Sequence, residues 1–129
     1  MQKFKTRTAL IIESETFVSL QVKKIIEEKG FSVVGIENDS SMVMKVVKET
    51  QPSLIICDLF IDGNIDVIDL MKRVKTTSKC QLIVTSKDLN EELSKRISEL
   101  LPCYYVKKPI EKLEIIDTLD MMFSPMSII

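Results

Sequence analysis

Residues 54–59 read Leu-Ile-Ile-Cys-Asp-Leu, an unbroken apolar run closed by one acid at Asp58. An uncharged run of strand length, without apolar–polar alternation, is the pattern of a parallel strand covered on both faces. Outward from it the pattern recurs at Thr8–Ile12, Phe31–Ile36, Gln81–Thr85 and Cys103–Val106. Segments of helical period lie between these runs. Thr16–Lys29 sets Val18, Val22, Ile25 and Ile26 on one stripe, and Gly30 suits the left-handed position that ends a helix. Asp39, Ser40 or Ser41 can cap a helix whose apolar face includes Val43, Val46 and Val47. Pro52 closes the gap to the third strand, and Asp58–Asn64 reads as a turn-rich loop around Gly63. Asp66–Lys75 resumes the helical period through Ile68, Met71 and Val74. Asn90 caps a helix with Leu93, Ile97 and Leu100 inward, and Pro102 marks its end. Ile110–Phe123 forms the last helix, with Leu113, Ile116 and Leu119 expected to face the core.

Strand and helix therefore alternate five times. That order predicts an α/β fold, a parallel sheet with helices on both faces. The length of 129 residues predicts one domain over residues 1–129. Eighteen Lys plus Arg against 19 Asp plus Glu leave a net charge of −1. A chain so balanced has no field for gathering nucleic acid or anionic lipid. No run is long enough to span a membrane, and Ala9–Ile12 is too short for a signal-peptide core, so a cytoplasmic location is expected. His is absent, which excludes any mechanism that uses an imidazole of this chain. Cys57, Cys80 and Cys103 fit neither a disulfide framework nor a zinc site and are expected to be buried free thiols. The apolar stretch Met121–Ile129 matches no motif; a docking segment is one reading of it.

In open α/β sheets, ligands bind outside the carboxyl ends of the strands. The residues found there are Glu13-Ser14-Glu15, Asp58, Thr85-Ser86 and Lys107-Lys108-Pro109. Taken singly, each has an ordinary reading as a cap, a turn residue or a solvated charge. Taken together they set two carboxylates, a hydroxyl and an ammonium on one rim. That set can bind a cation and an anionic group side by side.

Leu10-Ile11-Ile12-Glu13, Leu54-Ile55-Ile56-Cys57-Asp58-Leu59, Ile83-Val84-Thr85-Ser86 and Tyr105-Val106-Lys107-Lys108-Pro109, in that order and spacing, resemble the receiver domain of two-component response regulators. The resemblance covers nearly the whole chain. It implies a flavodoxin-like (βα)5 fold with strand order 2-1-3-4-5. It implies that Asp58 is the phosphoacceptor, served by a histidine kinase or a phosphotransfer protein, in a domain that is not an enzyme beyond self-catalysed phosphotransfer and dephosphorylation. Thr85 would be the switch hydroxyl, Lys108 the partner of the phosphoryl oxygens or of Asp58, and Tyr105 the aromatic that moves with the switch. Glu13, Asp58 and the backbone carbonyl of Phe60 would hold Mg²⁺. The physics agrees with these roles. A carboxylate that attacks an anionic phosphoryl group needs a cation beside it, and Mg²⁺ is content with few protein oxygens plus water. Output would pass through the fourth helix, fifth strand and fifth helix. That face includes Lys95, Arg96, Tyr105 and Lys107 against Glu111, Glu114 and Asp117, and a homodimer could form across it.

The sequence departs from the pattern at Ser14, where the family normally carries a second acid that binds the metal. Loss of a supporting partner typically weakens metal binding roughly 10–100-fold, and loss of a direct ligand costs at least as much. Glu15, one residue on, is expected to point elsewhere. Val67 stands after Asp66 where one receiver subgroup has Gly. Two readings stay open at this point. One is a working receiver with weakened Mg²⁺ dependence; the other is a divergent receiver that binds partners without phosphorylation. A flavin carrier, the third reading, needs a glycine-rich phosphate loop, and the chain has only Gly30, Gly35 and Gly63.

Overall fold

The computed structural model describes residues 7–61, 63 and 66–123. The readings placed on Asp62, Asn64, Ile65 and the stretch 124–129 lie outside these residues. Strands β1 (Arg7–Ile12), β2 (Phe31–Glu37), β3 (Leu54–Asp58), β4 (Gln81–Ser86) and β5 (Tyr104–Lys107) alternate with five helices. These are α1 (Thr16–Glu28), α2 (Val43–Thr50), α3 (Val67–Thr77), α4 (Glu91–Ser98) and α5 (Lys112–Phe123). All strand pairs are parallel, and the sheet order is β2-β1-β3-β4-β5.

Successive side chains of a strand point to opposite faces, so each apolar run feeds two cores. Leu10, Ile12, Ile55, Cys57, Leu82 and Val84 pack with α2 and α3 residues such as Val43, Val47, Leu70 and Met71. Ala9, Ile11, Leu54, Ile56 and Ile83 pack with Val22, Ile26, Ile115 and Leu119 of α1 and α5. A strand buried on both faces has no room for a polar residue until its end. That is why charge and hydroxyl groups gather at the carboxyl edge.

Several local expectations need correction. Leu113 is 74% exposed; Ile115 and Leu119 carry the inward face of α5, with Ile116 half-buried. No side chain caps α2. Asp39 instead accepts bonds from the amide and hydroxyl of Ser41 at 2.9 and 2.6 Å, closing a turn ahead of the helix. Asn90 does cap α4, accepting from the amide of Leu93 at 2.8 Å. Gly30 follows α1 with φ +93°. All three cysteines are free thiols, but only Cys57 is buried; Cys80 and Cys103 are half-buried. The β1–β2 pairing shifts by one residue between Ala9 and Leu10, so that Leu10 faces Gly35. A Cβ at Gly35 would lie 3.2 Å from the Leu10 side chain, so glycine suits this approach.

Candidate functional site

Backbone hydrogen bonds extend the sheet past its strand ends and fix the site residues. The amide of Glu13 donates to the Glu37 carbonyl at 2.9 Å, that of Leu59 to Thr85 at 3.0 Å, and that of Lys108 to Ser86 at 2.9 Å. The Lys108–Pro109 peptide is cis. Lys108 stands at the carboxyl edge of the sheet, directly after β5. Its ammonium lies 2.7 Å from Glu13 Oε1, 2.9 Å from Glu13 Oε2 and 2.9 Å from Asp58 Oδ2. All three side chains are almost completely buried. Asp58 Oδ1 accepts from the Phe60 amide at 2.9 Å, and Glu13 Oε2 from the Glu15 amide at 3.0 Å.

Two carboxylates that share one buried cation are each supported by one backbone amide as well, Asp58 by Phe60 and Glu13 by Glu15. Burial pushes the Glu13 carboxyl above its usual range, against the pull of Lys108 and the Glu15 amide. For Lys108, burial works against the charge, but the bonds to Glu13 and Asp58 prevail and hold it above the usual lysine value. The ammonium is therefore charged at neutral pH.

Thr85 is the register partner of Asp58 across β3 and β4. It is 1% exposed, and its hydroxyl has no hydrogen-bond partner. Tyr105 is half-buried against the core under α2 and α3. Its hydroxyl lies 2.8 Å from Ser86 Oγ and donates to the Ser86 carbonyl at 3.2 Å, and Ser86 Oγ in turn donates to the Asp88 carbonyl at 2.7 Å. Ser86 thus ties the Tyr105 ring to the loop that follows β4.

Outside the clamp lies a cavity of about 260 Å³ lined by Ser14, Glu15, Asp58, Phe60, Lys87, Asp88 and Lys108. Glu13 is not on its wall. It sits behind Lys108, so the two carboxylates meet through the ammonium rather than side by side on an open rim. Glu15, expected to point elsewhere, does line this cavity, and its carboxylate pairs with Lys87 at 3.2 Å. The sequence reading passed over Lys87 and Asp88, although both follow the carboxyl end of a strand.

The donors fit a divalent cation only modestly. Among the described residues, no group of three or more acidic or cysteine side chains is placed to hold a metal. Asp58, the Ser14 hydroxyl and the Phe60 backbone suit a Mg²⁺ that keeps most of its waters and leans on phosphoryl oxygens, the manner in which this ion is usually held.

Two further features bear on output. Asp66 caps α3, accepting from the amides of Ile68 and Asp69 at 2.9 and 3.2 Å, and it also pairs with Arg96 of α4. The guanidinium of Arg96 also reaches Asp69 at 3.4 Å. Arg96 is thus drawn toward α3 rather than toward the face shared with β5 and α5. No helix among the described residues is long and apolar enough to cross a membrane.

Comparison with known proteins gives this geometry a family. The model of the response regulator receiver domain matches residues 9–120. The transcriptional regulatory protein PdtaR of Mycobacterium tuberculosis is 21% identical over 118 residues, 92% of this chain and 57% of that protein. The two-component response regulator PprB of Pseudomonas aeruginosa is 25% identical over 121 residues, 91% of this chain and 44% of its own length. The chain thus spans about half the length of these curated relatives. The signal receiver domain of a modulated diguanylate cyclase from Desulfovibrio desulfuricans superposes with a TM-score of 0.81 at 17% identity, covering 91% of this chain and 93% of that one. The isolated REC domain of RcsB from Salmonella enterica, solved with the phosphomimetic BeF₃⁻, gives 0.81 at 20% identity, covering 92% and 88%. Five parallel strands in this order, the matched family model and these likenesses agree: the chain belongs to the response regulator receiver domain family.

Proposed function

We propose that this receiver takes a phosphoryl group on Asp58 from a histidine kinase or phosphotransfer protein, in the cytoplasm, and passes the change to a protein-binding face. The observation that supports it is the Lys108 ammonium 2.9 Å from Asp58, with the unpartnered Thr85 hydroxyl beside it in the sheet. A carboxylate oxygen of Asp58 forms the new O–P bond as the donor's P–N bond breaks. The bonding pair goes to the donor nitrogen, which takes a proton from water. Bound Mg²⁺ would supply positive charge to the phosphoryl oxygens, with Asp58 and the Phe60 carbonyl as its protein ligands and Glu13 behind them.

The product carries nearly two negative charges and strong acceptor oxygens. Lys108 remains beside it as a point charge. Thr85 then gains the acceptor it lacks, and the loop after β4 follows, carrying the Ser86–Tyr105 contact with it. On this reading the domain catalyses nothing beyond its own phosphorylation and dephosphorylation. Its output is a change at α4, β5 and α5, across which a second copy can dock.

Exposure to a small phosphodonor with Mg²⁺ tests the assignment. An acid-stable, base-labile mass increase, absent in Asp58→Asn, is the expected result. A second reading rests on its own observation, the neutral Ser14 on the cavity wall. If the cognate kinase also produces no mass increase, the domain is a phosphorylation-independent binding module.

A further inference from the structure

We infer that Arg96 is a latch: clasped by Asp66 and Asp69, it holds α4 in its unphosphorylated position and sets how readily phosphorylation shifts that helix. The inference rests on the phosphoacceptor reading of Asp58. Apolar contact secures α4 only thinly. Ile97 is the one buried residue within the helix, and Leu93 is half-buried against the core under α2 and α3. Polar bonds to α3 supply the rest. Arg96 Nη1 pairs with Asp66, and Nη2 reaches Asp69 at 3.4 Å. Glu99, the residue after α4, pairs with Lys72 of α3 and lies 3.9 Å from Arg96 Nε. Lys72 also reaches Asp69 at 3.7 Å. Lys75 of α3 donates to the carbonyls of Leu100 and Pro102, just past the helix. Two cations thus sit among three carboxylates, and Arg96 is the one that meets all three.

The other end of α4 hangs from the loop after β4. Asn90 caps the helix, and the Asp88 carbonyl is bonded to Ser86. This is the loop that follows Thr85 when Asp58 carries a phosphoryl group. A helix of eight residues, about 12 Å long, moves as one body, so a pull at Asn90 displaces Arg96 as well. α3 does not follow, because Asp66 caps its first turn and Val67, Ile68, Leu70, Met71 and Val74 are buried. The guanidinium is a flat fork, and it meets Asp66 and Asp69 together only while α4 keeps its present orientation. A shift of about 1–2 Å, the usual size of helix movements in switching proteins, opens the clasp. There is room for that shift. A cavity of about 310 Å³ lies between α4 and the segment after β3, lined by Leu59, Phe60, Ile61, Leu93 and Arg96 among others. The clasp therefore favours one position of α4 over another, and that difference is what a latch requires.

Beryllofluoride with Mg²⁺, a stable mimic of the phosphoryl group, is titrated into the full chain while amide chemical shifts are followed. Wild type is compared with Arg96→Ala, Asp66→Asn and the double variant. Asn at 66 keeps an oxygen for the α3 cap and gives up the charge. The half-saturating beryllofluoride concentration should fall about two- to fivefold in Arg96→Ala, a range set by the partial exposure of the clasp. Asp66→Asn should move it the same way by less, since Asp69 remains. The double variant should match Arg96→Ala alone, because the two residues act through one contact. Without beryllofluoride, the α4 amides of Arg96→Ala should already lie along the line that joins free and saturated wild type. Mere fraying of the helix would not place them there. An unchanged or raised half-saturation, α4 amides displaced off that line, or a double variant that adds the two effects overturns the latch. Failure of wild type to bind beryllofluoride at Asp58 overturns the phosphoacceptor reading, and the latch falls with it.

Discussion

Thr85 and Asp58 are register partners on adjacent strands, and in the unphosphorylated protein the buried threonine hydroxyl has no partner of its own. A buried polar atom without a hydrogen bond costs roughly 1–3 kcal/mol. Thr85→Val keeps the shape and removes the orphan. It is expected to leave stability unchanged or raise it by about 1 kcal/mol in urea unfolding. The same variant should still accept phosphate at Asp58 yet fail to change its chemical shifts around α4 and β5.

Lys108 should behave in the opposite way. Lys108→Met strands two buried carboxylates and is expected to cost about 3–5 kcal/mol at neutral pH. The loss should shrink as pH falls and the Glu13 carboxyl, held above its usual range by burial, takes up a proton. In wild type the lysine pKa is raised on folding, so the stabilisation from its charge is complete below the unfolded lysine value of 10.5 and disappears as pH rises through the higher folded one. Unfolding curves of both proteins from acid to alkaline pH check each limb.

The link from α3 to α4 should titrate at the acid end. The bond from Arg96 holds the Asp66 carboxyl below its usual range. A depressed carboxyl contributes stability above the unfolded value and loses it as pH falls through the folded one. Arg96→Ala should lower stability slightly at pH 7, since both partners are open to water. Wild type and variant should converge in stability as Asp66 protonates in acid.

Gly63 has φ +134°, and a Cβ there would lie 2.2 Å from Ser40 Oγ and 3.2 Å from Ser40 Cβ. Both the backbone and the neighbour oppose a side chain. Gly63→Ala should destabilise by about 1–3 kcal/mol. Ser40→Gly in the same chain should recover the steric part and leave the backbone part, so the double variant falls between.

Docking across α4, β5 and α5 is measurable by sedimentation. The mass should rise toward that of a dimer when a phosphoryl mimic is added, and Tyr105→Ala should weaken the rise. One unchanging mass in both conditions would overturn a phosphorylation-driven dimer.

Much of this molecule was legible in the chain itself. The five strands announced themselves because both faces are covered, which excludes charge from their interiors. The site residues followed because charge can return only at the strand ends. Where the reading slipped, competing local forces were responsible. Leu113 lies in the first turn of α5, one helical row away from Ile115 and Leu119, and apolar spacing alone cannot choose between adjacent rows. Asp39 spends its oxygen on Ser41 and leaves α2 without a side-chain cap. Lys87 was passed over, and Glu15 was expected to point elsewhere, because an exposed ion pair has no signature in sequence; the coordinates show which hollow it borders.

The slip in pairing at Ala9 and Leu10 also constrains crowding in the cell. β2 forms one margin of the sheet, and the offset opposite Gly35 breaks the even row of amides and carbonyls that a foreign strand would need as a template. The other margin, β5, offers only four residues. Neither border therefore invites a strand of another molecule to extend the sheet.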